Sequence, residues 1–194
     1  MSITEPLSQH PPHHPIAPST AMGTLTPARV TKRIKQELAD LQQCPLDTCH
    51  AAPISDSDLH AWFAVVAAPQ NAPYAGGTFN LSIHFPPTYP LQPLQATCTT
   101  PIFHPNVSPQ GEVGLAELRP NQWSPAFTIR TVLVCLQAML AGPDLGAECV
   151  LNEEAARLCV EDAEGFGERA RRHMMECARP SAAVNQALEG LLKR

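Results

Sequence analysis

Apolar residues in the first quarter of the chain fall at helical intervals. Val30, Ile34, Leu38 and Leu41 recur three or four positions apart, with Lys32, Arg33 and Lys35 between them. The spacing predicts a helix with one apolar stripe and a basic flank. It is entered at Thr26-Pro27, where a threonine can cap and a proline suits the first helical position. The period then changes. The stretch 62–67 is apolar and rich in aromatic and β-branched residues, and Pro69 and Asn71 bound it. Residues 78–85 alternate, with Phe79, Leu81, Ile83 and Phe85 on one face and Asn80, Ser82 and His84 on the other. Gly76-Gly77 reads as a turn, and 94–99 as a further strand after the Pro-rich run FPPTYPLQP. Links this short favour an antiparallel meander.

Residues 100–124 follow no period. Segments of that length are usually functional or disordered, and the apolar residues and Trp123 within this one argue against disorder. Helical spacing resumes at Ile129, Val132, Leu133, Leu136, Met139 and Leu140. Another helix is predicted from the cap Asn152, with Glu153 and Glu154 in the first turn, where the helix dipole favours acids. Gly165 and Gly167 are expected to interrupt it, leaving a final core helix over about 168–178 that Pro180 ends. The order of elements is α+β. Residues 1–25 hold Pro, His, Ser and Thr with too little apolar surface to offset the entropy of ordering them. The expected division is therefore a disordered tail at 1–25, a domain at 26–179 and a short, helical extension at 180–194.

Composition narrows the classes. Of 194 residues, 44% are hydrophobic, enough for one core, and the net charge of −5 gives no electrostatic case for nucleic acid. No apolar run approaches the ~20 residues that span a bilayer. The N-terminus lacks the basic start and apolar stretch of a signal peptide, so the chain is expected in the cytoplasm or nucleus. Seven cysteines, odd in number and irregular in spacing, predict no disulfide framework, and Cys135 and Cys159 are expected as small buried apolar groups. His10, His13 and His14 reflect the composition of the tail, and no CxxC pair is present, so neither a metal nor a cofactor is expected.

Four segments in order carry a more specific signal: YPLQP at 89–93, IFHPNV at 102–107, QGEVGL at 110–115 and WSPAFTI at 123–129. Together with the basic first helix and the meander, they resemble the core of the ubiquitin-conjugating enzymes over about residues 27–178. The resemblance implies the fold of that family: an N-terminal helix, a four-stranded antiparallel meander, a long active-site-type loop and C-terminal helices. Segment LNEEAA at 151–156 resembles members that carry ubiquitin-like modifiers. The extra residue before Trp123 resembles members that partner two-ring ligases, and no subtype is assigned.

In the family the nucleophilic cysteine falls ten positions after the histidine of His-Pro-Asn, and that position here is Gly114. Val113 and Leu115 fit the family pattern on either side, and no cysteine lies between Cys98 and Cys135. The chemistry requires a thiolate to hold the modifier's C-terminus as a thioester, and glycine supplies no side chain to attack with. Asn106 matches the asparagine that the resemblance assigns to the oxyanion; the competing reading has it tie the loop down, with His104 and Pro105 serving the same loop. The stretch 142–152 departs from the family's short acidic link, and Glu148 or Cys149 falls near the acid expected there. Cys149 is thus the candidate substitute nucleophile, against a loop cysteine with no role.

By the same resemblance Arg33, Leu91, Pro125 and Ala126 match the positions that contact ring-type ubiquitin ligases and the activating enzyme. The polar face around Asn80, Ser82 and His84 is a second candidate surface, for noncovalent binding of ubiquitin or a ubiquitin-like modifier. The expected function is a catalytically inactive variant acting as a binding or scaffold module in conjugation. The alternative is a working conjugating enzyme whose Gly114 is an engineered substitution or is bypassed through another cysteine.

Overall fold

The computed structural model describes residues 25–177. The extension expected at 180–194 and the tail before Leu25 lie outside the described residues. Helix α1, Pro27–Gln43, starts with its proline in the first turn. Thr26 occupies the cap position without a side-chain bond; its carbonyl instead accepts from the amides of Arg29 and Val30. The buried stripe of α1 is Val30, Ile34, Glu37 and Leu41. A carboxylate thus stands in the stripe beside Leu38, which is only half-buried.

Four antiparallel strands follow in the order β1-β2-β3-β4: Cys49–Ser55, Asp58–Ala67, Thr78–His84 and Gln95–Cys98. The pairing sets Ala51 against Ala64, Ala64 against Leu81, and Leu81 against Cys98. One face buries Trp62, Ala64, Val66, Phe79, Leu81 and Ile83 against the helices. Strand β2 begins four residues earlier than its apolar run suggests. No strand signal in the sequence marked β1, whose CHAAPIS has two alanines and a proline; a full partner in β2 stabilises what local propensity does not.

Helix α2, Ile129–Ala141, packs across the sheet with Ile129, Val132, Leu133, Leu136, Met139 and Leu140 buried. The Thr128 hydroxyl caps it by accepting from the Thr131 amide. Helix α3, Glu153–Glu161, is capped as expected, with Asn152 Oδ1 accepting from the Ala155 amide at 3.0 Å. The expected break at the glycines is corrected: helix α4 runs Ala163–Cys177 straight through Gly165 and Gly167, and the chain turns at Asp162 instead. Two helical glycines cost about 2 kcal/mol relative to alanine. Burial of Phe166, Ala170 and Met174 outweighs that, since a large apolar side chain alone contributes about 1.5–3 kcal/mol. All seven cysteines are free, and Cys135 and Cys159 are half-buried rather than buried.

Candidate functional site

The long loop between β4 and α2 is pinned by backbone bridges, Thr97 to Glu112, His104 to Val107, and Val107 to Val113. It carries a single 3-10 turn at Ala116–Leu118. His104 anchors it. The ring is wholly buried, Nδ1 accepts from the Asn106 amide at 2.9 Å, and Nε2, which must then hold the proton, donates to the Met139 carbonyl at 3.0 Å. Burial pushes its pKa down to about 4, against a smaller opposing pull from the Met139 carbonyl. His104 is therefore a neutral brace between the loop and α2.

Asn106 is also wholly buried, and its side chain spends every bond on the stretch 142–152. Its Nδ2 donates to the carbonyls of Asp144, at 2.5 Å, and Cys149, at 2.9 Å, while Oδ1 accepts from the Asp144 amide at 2.9 Å. Pro105 adds to this, its carbonyl accepting from the amides of Leu151 and Asn152 at 2.9 and 3.0 Å. An oxyanion donor needs an N–H aimed at open space, and both amide hydrogens of Asn106 are already engaged.

Gly114 lies directly across from these residues, its N–H donating to the Asn106 carbonyl at 2.8 Å. Its φ is not in the left-handed region, so the backbone angle does not call for glycine. Space does. A Cβ built on Gly114 falls far inside van der Waals contact with the Cys149 carbonyl oxygen and 3.1 Å from both the Cys149 carbonyl carbon and Leu151 Cγ.

The expected placing of Cys149 is corrected in the same way: what meets position 114 is its carbonyl. The residue is 1% exposed. Burial raises the thiol pKa, and a hydrogen bond to the Asp144 carboxylate, with that group's charge, raises it further. Reactive cysteines have the opposite surroundings. The Asp144 carboxylate is held below its usual range, first by the Gly146 amide and then by the Cys149 thiol. Glu148 is exposed and pairs with Arg119.

Of the four residues expected at the surface, Arg33 is half-buried and bonded to a buried carboxylate that sequence reasoning missed. Glu37 is 2% exposed and accepts from Arg33 Nε and the Tyr89 hydroxyl, both at 2.5 Å, and from the Ile129 amide at 2.7 Å. The available signal was an acid on the apolar stripe, four positions after an arginine. Arg33 also donates to the Phe127 carbonyl at 2.9 Å and lies over the Tyr89 ring, so its fork is largely committed inside the protein. Trp123 Nε1 donates to the Pro90 carbonyl at 2.7 Å, joining the turn that carries Leu91 to the loop that carries Pro125 and Ala126. Leu91 is 59% exposed, and Pro125 and Ala126 are also exposed. On the sheet's outer face, Ser82 and His84 are exposed and Asn80 is half-buried.

A family model described as ubiquitin-conjugating enzyme matches residues 33–174. Among solved structures, the chain is similar to the E2 domain of a Toxoplasma gondii ubiquitin conjugating enzyme. The two are 37% identical with a TM-score of 0.69, over 77% of this chain and 99% of that one.

Proposed function

Because the chain belongs to the ubiquitin-conjugating enzyme family, we propose that it is a catalytically inactive variant serving as a binding or scaffold module in conjugation of ubiquitin or a ubiquitin-like protein. The observation that carries this reading is Gly114, which stands across from Asn106 where the family's thiol is expected. Thioester formation needs a thiolate at that point, and glycine offers no atom that can form the bond. Cys149 is a poor replacement. Its thiol is buried, its pKa is raised, and its backbone rather than its sulfur approaches the position.

What the chain retains is the surface. Leu91, Pro125 and Ala126 form an exposed apolar step on loops braced by Trp123 and Glu37, so little ordering cost falls on a partner that docks there. A ring-type ubiquitin ligase is the proposed partner, with the outer sheet face left for a modifier held noncovalently.

The test is incubation with activating enzymes, ATP and each candidate modifier, resolved on a non-reducing gel. No DTT-reversible adduct is expected. Any such band overturns the assignment, and its loss in Cys149→Ser would identify the substitute thiol.

A further inference from the structure

The stretch 144–151 does more than lie near position 114. Its Cys149 carbonyl occupies the volume that any side chain at 114 would need. That carbonyl is not free to yield. It accepts from Asn106 Nδ2 at 2.9 Å, and the Cys149 amide is tied to the Gly146 carbonyl at 2.8 Å. On either side the backbone is fastened again: the Asp144 amide to Asn106 Oδ1, and the Leu151 and Asn152 amides to the Pro105 carbonyl. A clash with the tip of a flexible side chain is relieved by a rotamer change. A clash with a carbonyl held at both ends is relieved only by moving main chain and breaking bonds in a buried site.

We propose that residues 144–151 form a latch, seated in the space beside Gly114 and fastened by Asn106 and Pro105, and that glycine at 114 is the condition for its closure. The proposal builds on the inactive-variant reading and deepens it: the groove is closed as well as stripped of its thiol. Glycine at 114 and the altered stretch 142–152 become two halves of one device. Asn106 holds the protein's own backbone, as the loop-tying reading expects.

Hydrogen exchange on the full chain tests the latch without reference to charging, so its failure and that of the inactive-variant reading are separable. In the unmodified chain the amides of Asp144, Leu151 and Asn152 are expected to exchange at least ~100-fold more slowly than in an unstructured peptide. Peptide-like rates there overturn the latch, whatever any variant does. In Gly114→Ala the same amides are expected to speed up by about tenfold or more, while those of β2 and β3 keep their protection. Gly142→Ala is the control, because a Cβ at that position in the same stretch meets nothing within 4 Å. Exchange in Gly114→Ala equal to that in Gly142→Ala overturns the proposal.

Discussion

A histidine with no exposed surface and both ring nitrogens bonded can take up a proton only by giving up a contact. His104 is such a residue, and its Nδ1 has no room for a second hydrogen while the Asn106 amide points at it. Its pKa of about 4 in the fold lies below the ordinary 6.5, so between those values the unfolded chain binds a proton that the folded chain does not. The resulting stabilisation is complete above about pH 6.5 and is lost as pH falls toward about 4, by roughly 3 kcal/mol in total. Urea unfolding of the wild type and His104→Gln, each at pH 7 and pH 4.5, measures this. The wild type is expected to lose more stability than the variant across that interval. Equal losses would mean that His104 protonates in place without cost.

Glu37 shows how one side chain can set the geometry of three elements. Its carboxylate binds the first amide of α2, the hydroxyl of Tyr89 in the turn before Leu91, and the guanidinium of Arg33 on its own helix. Removing one partner of a buried charge pair commonly costs about 3–5 kcal/mol, because the remaining polar groups lose their partners too. Glu37→Ala is therefore expected to destabilise by about 3 kcal/mol, read as a melting-temperature drop of roughly 6–12 °C for a chain of this size. A drop under about 2 °C would show that water or another side chain takes over the bonds. The same network makes Arg33→Glu a poor probe of binding, since it sets a second carboxylate beside the first. Helix α4 illustrates the reverse balance, where a local preference against helix at Gly165 and Gly167 gives way to the burial of Phe166 and Met174.

For the molecule as a unit, the proposed docking surface is the exposed set Leu91, Pro125 and Ala126. Leu91→Ala touches none of the Glu37 bonds and is the cleaner test. In titrations against a purified ring-type ligase domain, it is expected to weaken binding by about 5- to 30-fold, the equivalent of truncating a side chain worth roughly 1–2 kcal/mol. Unchanged affinity in a normally folded variant would move attention to the outer sheet face around Ser82 and His84.

Much of this was legible in one dimension, and for a common reason. The alternation of Phe79 to Phe85, the stripe of α1, the cap at Asn152 and the ordered motifs around His104, Asn106 and Trp123 are relations between residues close in the chain. Periodicity and spacing report such relations directly. The missing thiol at 114 belongs here too, because an atom that a residue lacks is lacking in any fold. The remainder required the folded chain. Strand β1 exists because β2 lies beside it, and Glu37 is buried because Tyr89 and Ile129 converge on it from more than 50 positions away. The Cys149 carbonyl reaches Gly114 because Asn106 and Pro105 draw in a stretch some 40 residues further on. These outcomes rest on which groups are forced together when water is excluded, and a buried polar group takes whichever partner the packing brings within about 3 Å.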